Sequence, residues 1–173
     1  MYVVVTGPAA AGKSTLAAAL ANRLALPLLG KDILKEALLA ERPPVDVEDS
    51  RRLGRRAVEL ILAEARSRGL GVLDSVWVDR GRAVRELAML AEGDQLVELF
   101  CRCDLETMRS RYRQRAPTKG AGHFDDQRPE EELWPEAALR PLAGPWRVVE
   151  VETTTAVDLD ALVARLTGRR PGS

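Results

Sequence analysis

Nine residues near the start of the chain, Gly7-Pro8-Ala9-Ala10-Ala11-Gly12-Lys13-Ser14-Thr15, combine glycines, a lysine and two hydroxyls at a spacing that suits phosphate. They fit the GxxxxGK[ST] pattern. A loop that runs into a helix N-terminus aims several backbone N–H groups at one point, and the helix dipole adds partial positive charge there. Gly7 and Gly12 permit a backbone path that a Cβ would obstruct. In this reading the amides of Ala10 and Ala11 belong to the cradle, Lys13 reaches the β and γ phosphates, Ser14 takes one Mg²⁺ position and Thr15 donates to the α phosphate.

Other chemistry-bearing side chains follow at intervals. Asp32, in "PLLGKDILKEAL", either caps a helix or faces the γ phosphate as an acceptor of the attacking hydroxyl's proton. Lys35 lies one helical turn further and could steady developing charge. Asp74 ends an apolar run in the manner of an acid that orders Mg²⁺ through water or holds the substrate, and with Ser14 it is a metal candidate. Trp77 offers an apolar wall or a core residue, and Arg80 and Arg82 offer contacts to an acceptor or a solvated face. In "CDLETMRSRYRQR", Arg111 and Arg115 share a helix face, as do Arg109 and Arg113, and the first pair is placed on the transferring phosphoryl group. His123, the only histidine, is a candidate acceptor contact from a loop. Thr154 and Thr155 stand where a loop after the last strand would meet the nucleotide base.

The elements that must position these groups are legible as alternating patterns. Apolar runs mark strands at Tyr2 to Thr6, near Leu28-Leu29, at Gly71 to Val76, at Leu96 to Cys101 and at Val148 to Val151. Helical spacing separates them: Leu16, Leu20, Leu24; Leu53, Ala57, Leu60, Ile61; Val84, Leu87, Ala88, Ala91; Leu159, Leu162, Val163, Leu166. Strands alternating with helices imply an α/β chain with a parallel sheet covered on both faces and ligands at the carboxyl ends of the strands. The stretch Arg115 to Pro135 fits neither template and reads as a loop.

With 173 residues, one domain is expected. The 26 basic residues balance 26 acidic ones, so no global field recruits nucleic acid or a membrane surface. Cys101 and Cys103 stand at i, i+2, a poor arrangement for a disulfide, which fits reduced thiols in the cytoplasm. No apolar run reaches the roughly 20 residues of a membrane span.

Together these residues resemble the small P-loop kinases: adenylate, shikimate and gluconate kinases, chloramphenicol phosphotransferase, and zeta-toxin-like and "AAA family ATPase" chains. The resemblance spans nearly the whole chain, with Gly7 to Thr15 as its specific motif. It implies a three-layer fold with a five-stranded sheet in the order 2-3-1-4-5. It also implies a mobile lid after strand four, here around residues 109–135, with arginines on its helix. An acid after strand two acts as base, matched by Asp32, and an adenine loop follows strand five, matched by Thr153 to Ala156. The substrate signatures of adenylate and shikimate kinases are missing. The expected activity is transfer of the γ-phosphoryl of Mg-ATP to a hydroxyl of a small molecule, by a monomer or homodimer. The competing readings are an ATP-binding regulatory or toxin-like module with little turnover and, against the balanced charge, a polynucleotide end kinase.

Overall fold

The computed structural model describes residues 1–90, 95–115 and 129–168. Five strands form one parallel sheet: β1 (Tyr2–Thr6), β2 (Leu28–Gly30), β3 (Gly71–Asp74), β4 (Leu96–Arg102) and β5 (Arg147–Glu152), in the order β2-β3-β1-β4-β5. The expected sheet order is therefore present. Seven α-helices lie in the described residues: α1 (Lys13–Leu24), α2 (Lys31–Glu41), α3 (Val47–Arg68), α4 (Arg80–Ala88), α5 (Leu105–Arg115), the short α6 (Glu130–Leu133) and α7 (Leu159–Thr167).

Strand side chains alternate between faces, and β1 divides its residues accordingly. Val3 and Val5 enter a core with Leu16, Leu20, Leu99, Val149, Leu162 and Leu166, under α1 and α7. Tyr2 and Val4 enter the opposite core with Ile61, Leu62, Leu73, Ala83 and Leu87, under α3 and α4. All five β1 residues are buried, so the valine run reads as a central strand covered twice rather than as an alternating half-buried one. Asp46, Asp79 and Asp158 cap α3, α4 and α7, each accepting an amide N–H three residues on.

One polar knot crosses the second core. Glu98, fully buried in β4, accepts from the Thr6 hydroxyl at 2.7 Å, the Leu142 and Ala143 amides at 2.6 and 3.0 Å, and the Trp146 indole at 3.0 Å. Four donors satisfy the carboxyl group and fasten residues 142–146 to the sheet.

Strand β4 runs one residue past its expected end, to Arg102, β5 extends one residue at each end, to Arg147 and Glu152, and α6 lies in the stretch expected to be a loop. Two further differences bear on the site. β3 stops at Asp74 rather than Val76, because Ser75 turns the chain: its hydroxyl accepts from the Trp77 amide at 3.4 Å, and Trp77 has φ +54°. Asp32 is not an N-cap: Gly30 occupies that position, α2 starts at Lys31, and Asp32 lies in the first turn.

Candidate active site

In-register pairing aligns the carboxyl ends of the strands. Val5 of β1 and Gly30 of β2 both stand opposite Asp74 of β3, and Thr6 stands opposite Phe100 of β4. The segments that leave these ends therefore meet along one rim, where the candidate residues fall.

Strand β1 leaves through the Gly-rich loop. Gly7 has φ +133°, and a Cβ there would lie 2.8 Å from the Cys101 carbonyl oxygen, so only glycine fits beside β4. Gly12, at φ +83°, is the N-cap of α1, with Ala10 also left-handed at φ +60°. These turns wind the loop into the first turn of α1, where Ser14 and Thr15 are exposed. Lys13 is buried, and its ammonium donates to the Pro8 carbonyl at 2.6 Å across the loop. Burial lowers its pKa from the ordinary lysine value, against the pull of Asp74.

Asp74, at the end of β3, is buried, and that burial raises its carboxyl above the usual range. A hydrogen bond from the Ser14 hydroxyl and the Lys13 charge act the other way. The Ser14–Asp74 pair is the hydroxyl and carboxylate that suit Mg²⁺. Among the described residues no cluster of three His, Cys, Asp or Glu gathers.

Asp32 and Lys35, on one face of α2, line the same recess of about 90 Å³ as Lys13, Ser14, Asp74 and Arg115. Lys35 is buried and donates to the Ser50 hydroxyl of α3 at 2.7 Å. Through Lys31, Lys35 and Ser75 the recess adjoins a cavity of about 630 Å³ walled by α3, α4 and Trp77. Trp77 is a core residue, 4 % exposed, and also lines this cavity. Its indole Nε1 is buried with no hydrogen-bond partner among the described residues.

The two α5 arginines separate. Arg115 lines the recess, whereas Arg111 donates to the Thr153 and Thr154 carbonyls, both at 2.9 Å, beside Gly12. Arg111 therefore fastens the loop after β5 to α5. The Thr153 hydroxyl lies 2.8 Å from the Ala11 carbonyl and 2.6 Å from that of Arg102, tying the same loop to the phosphate loop. Thr154 bonds Glu152 through its hydroxyl, and Thr155 is exposed. Arg109 and Glu130 pair at 2.6 Å, joining α5 to α6. His123 lies outside the described residues.

Arg80 does not line either cavity. Its guanidinium donates to the carbonyls of Ala137, Arg140 and Pro141, so it holds the segment after α6 instead of an acceptor. Arg82, considered beside it, does line the larger cavity and pairs with Glu59 and Glu86.

Sequence reasoning missed two contributors. Trp134 donates to the Ala9 carbonyl at 3.0 Å and meets Tyr112 edge-on. Helix α3 supplies Ser50, Arg51, Gly54, Arg55 and Val58 to the larger cavity. The signal for α3 was present in Gly54, a glycine amid a strong helical pattern. For Trp134 there was none, since it sits in the stretch without periodicity.

The described helices include none long and apolar enough to cross a membrane. No curated protein matches the chain. Among solved structures, it is similar to a candidate kinase from Chloroflexus aurantiacus J-10-fl, with 28% identity, TM-score 0.78 and coverage of 98% of this chain and 97% of that one. It has the fold of shikimate kinase from Acinetobacter baumannii, solved with shikimate (19% identity, TM-score 0.60, coverage 96% and 90%). The same holds for the APS kinase CysC of Mycobacterium tuberculosis, solved with AMPPNP and APS (21%, TM-score 0.57, coverage 96% of each chain). The architecture is thus that of the small P-loop kinases. The family model described as "AAA domain" matches residues 3–133, from β1 through α6, and the chain belongs to that family.

Proposed function

We propose that the protein transfers the γ-phosphoryl group of ATP, with Mg²⁺, to a hydroxyl of a small molecule. The observation that carries this reading is the convergence of Lys13, Ser14, Asp32, Asp74 and Arg115 on one small recess that opens into a larger cavity. One compartment suits a phosphoryl group, and its neighbour suits the molecule that receives it. The kinase neighbours with bound nucleotide and small-molecule substrate support the same division.

Each residue then has a task. The loop amides and Lys13 hold the phosphates, with Lys13 exchanging its Pro8 carbonyl for phosphate oxygens. Ser14 and Asp74 would hold Mg²⁺, which when bound neutralises charge on the β and γ phosphates. Asp32 takes the proton of the acceptor hydroxyl as the new O–P bond forms. Lys35 and Arg115, both lining the recess, stabilise charge on the group in transit. Arg111 keeps the loop at Thr153 and Thr154 in place beside the base. Catalysis in such a site is mostly alignment and charge neutralisation.

Calorimetry with Mg-ATP tests the nucleotide assignment. Lys13→Ala removes a charge-assisted contact and should weaken binding by about 1.5 to 3 kcal/mol. Equal affinity in the two proteins would refute it.

A further inference from the structure

Resting on the phosphotransferase reading, we infer that the larger cavity receives an acceptor alcohol through an apolar face of that molecule, and that Gly54 keeps the cavity open for it. The floor is made by Val58, Leu62, Trp77 and Ala83, with Val78, 79 % exposed, as an apolar lip. Charges stand at the rim, yet its arginines are engaged by carboxylates. Arg51 pairs with Glu132 at 2.7 Å, Arg55 with Glu48 at 2.9 Å, and Arg82 with Glu86 at 2.6 Å and Glu59 at 3.2 Å. An acceptor relying on those cations would have to compete with carboxylates already in place. Burial of apolar surface on the floor has no such competitor. The polar groups at the seam with the phosphate recess, Lys31, Lys35 and Ser75, stand where the reacting hydroxyl must point.

Gly54 occupies the interior of α3, where glycine weakens a helix relative to alanine. Its φ is not in the left-handed region, so the backbone does not require glycine. A Cβ at this position would meet the Lys31 side chain, 3.2 Å from Cε and 3.5 Å from Nζ. The missing methyl gives Lys31 a path across α3 at the seam. It also leaves the α3 side of the cavity without a side chain at this position.

The probe is 8-anilinonaphthalene-1-sulfonate, titrated into the full chain and read by energy transfer from tryptophan. One saturable site is expected, retained in Lys13→Ala and displaced by 2-naphthaleneethanol but not by glycerol or gluconate. Gly54→Leu, which fills the cavity, and the uncharged Val78→Asn, at an exposed lip, should each weaken the probe about tenfold, the equivalent of one lost aliphatic contact. If Gly54→Leu does not fold, Val78→Asn carries the same reading. Absence of a saturable site, equal affinity in the folded variants, or equal displacement by gluconate overturns the inference. Undiminished affinity for Mg-ATP in Lys13→Ala refutes the kinase reading and leaves the probe site standing.

Discussion

The Trp134 indole N–H donates to the Ala9 carbonyl at 3.0 Å, so the segment that carries α6 is fastened directly to the phosphate loop. The bond spans 125 positions in sequence. It holds the carbonyl next to Ala10, whose φ of +60° lies in the left-handed region. Trp134→Phe preserves a ring against Tyr112 and removes only the donor. A lost hydrogen bond of this kind is worth about 1 kcal/mol, so Mg-ATP should bind about fivefold more weakly with the fold intact. Titration of both proteins checks this, and unchanged affinity would mean that the bond does not shape the loop.

The divergence of Arg111 and Arg115 makes two different kinetic signatures. Arg111→Ala frees the Thr153 and Thr154 carbonyls, so KM for ATP should rise along with any loss of kcat. Arg115→Ala should lower kcat with little change in ATP affinity, since its role matures with charge on the transferring group. Identical profiles for the two variants would contradict this division.

Asp74 should trade stability for function. Burial raises its carboxyl pKa in the folded state. Its contribution is therefore most favourable below the ordinary aspartate pKa and is lost as pH rises through the folded value. At neutral pH Asp74→Asn should thus have a higher Tm than the parent, with an advantage that shrinks on acidification, while magnesium-dependent nucleotide binding falls. Differential scanning calorimetry across pH gives the first reading and a magnesium titration the second. A lower Tm at neutral pH would show that the ionised carboxylate supports the fold.

Much of this arrangement was legible because local chemistry coincided with periodicity. Gly7 to Thr15 announced its turn through residues that only such a loop requires, and the leucines of α1 and α7 repeated on one face. The parallel sheet followed from alternation, and its strand order from resemblance. What stayed hidden depended on long-range contacts. Nothing in the spacing of Arg111 and Arg115 shows that one meets the carbonyls after β5 while the other lines the recess. Arg80 looked like an acceptor contact because it follows a strand, yet three carbonyls of residues 137–141 claim it. Asp32 resembled a cap because it follows a strand and precedes a helical pattern, but Gly30 and Lys31 start the helix earlier. The role of Glu98 was invisible for the same reason: its four donors come from β1 and residues 142–146.

Phosphoryl transfer to a hydroxyl with Asp32 as base is read by ADP release across a library of alcohols, with the parent protein and Asp32→Asn side by side. The substitution keeps size, and the helix does not depend on a side-chain cap there, so the fold should persist. With an acceptor that the parent phosphorylates, the variant should bind Mg-ATP nearly as well and turn over about 10² to 10⁴ more slowly, the usual contribution of a positioned base. Undiminished turnover in Asp32→Asn at saturating magnesium and acceptor would exclude Asp32 as the base.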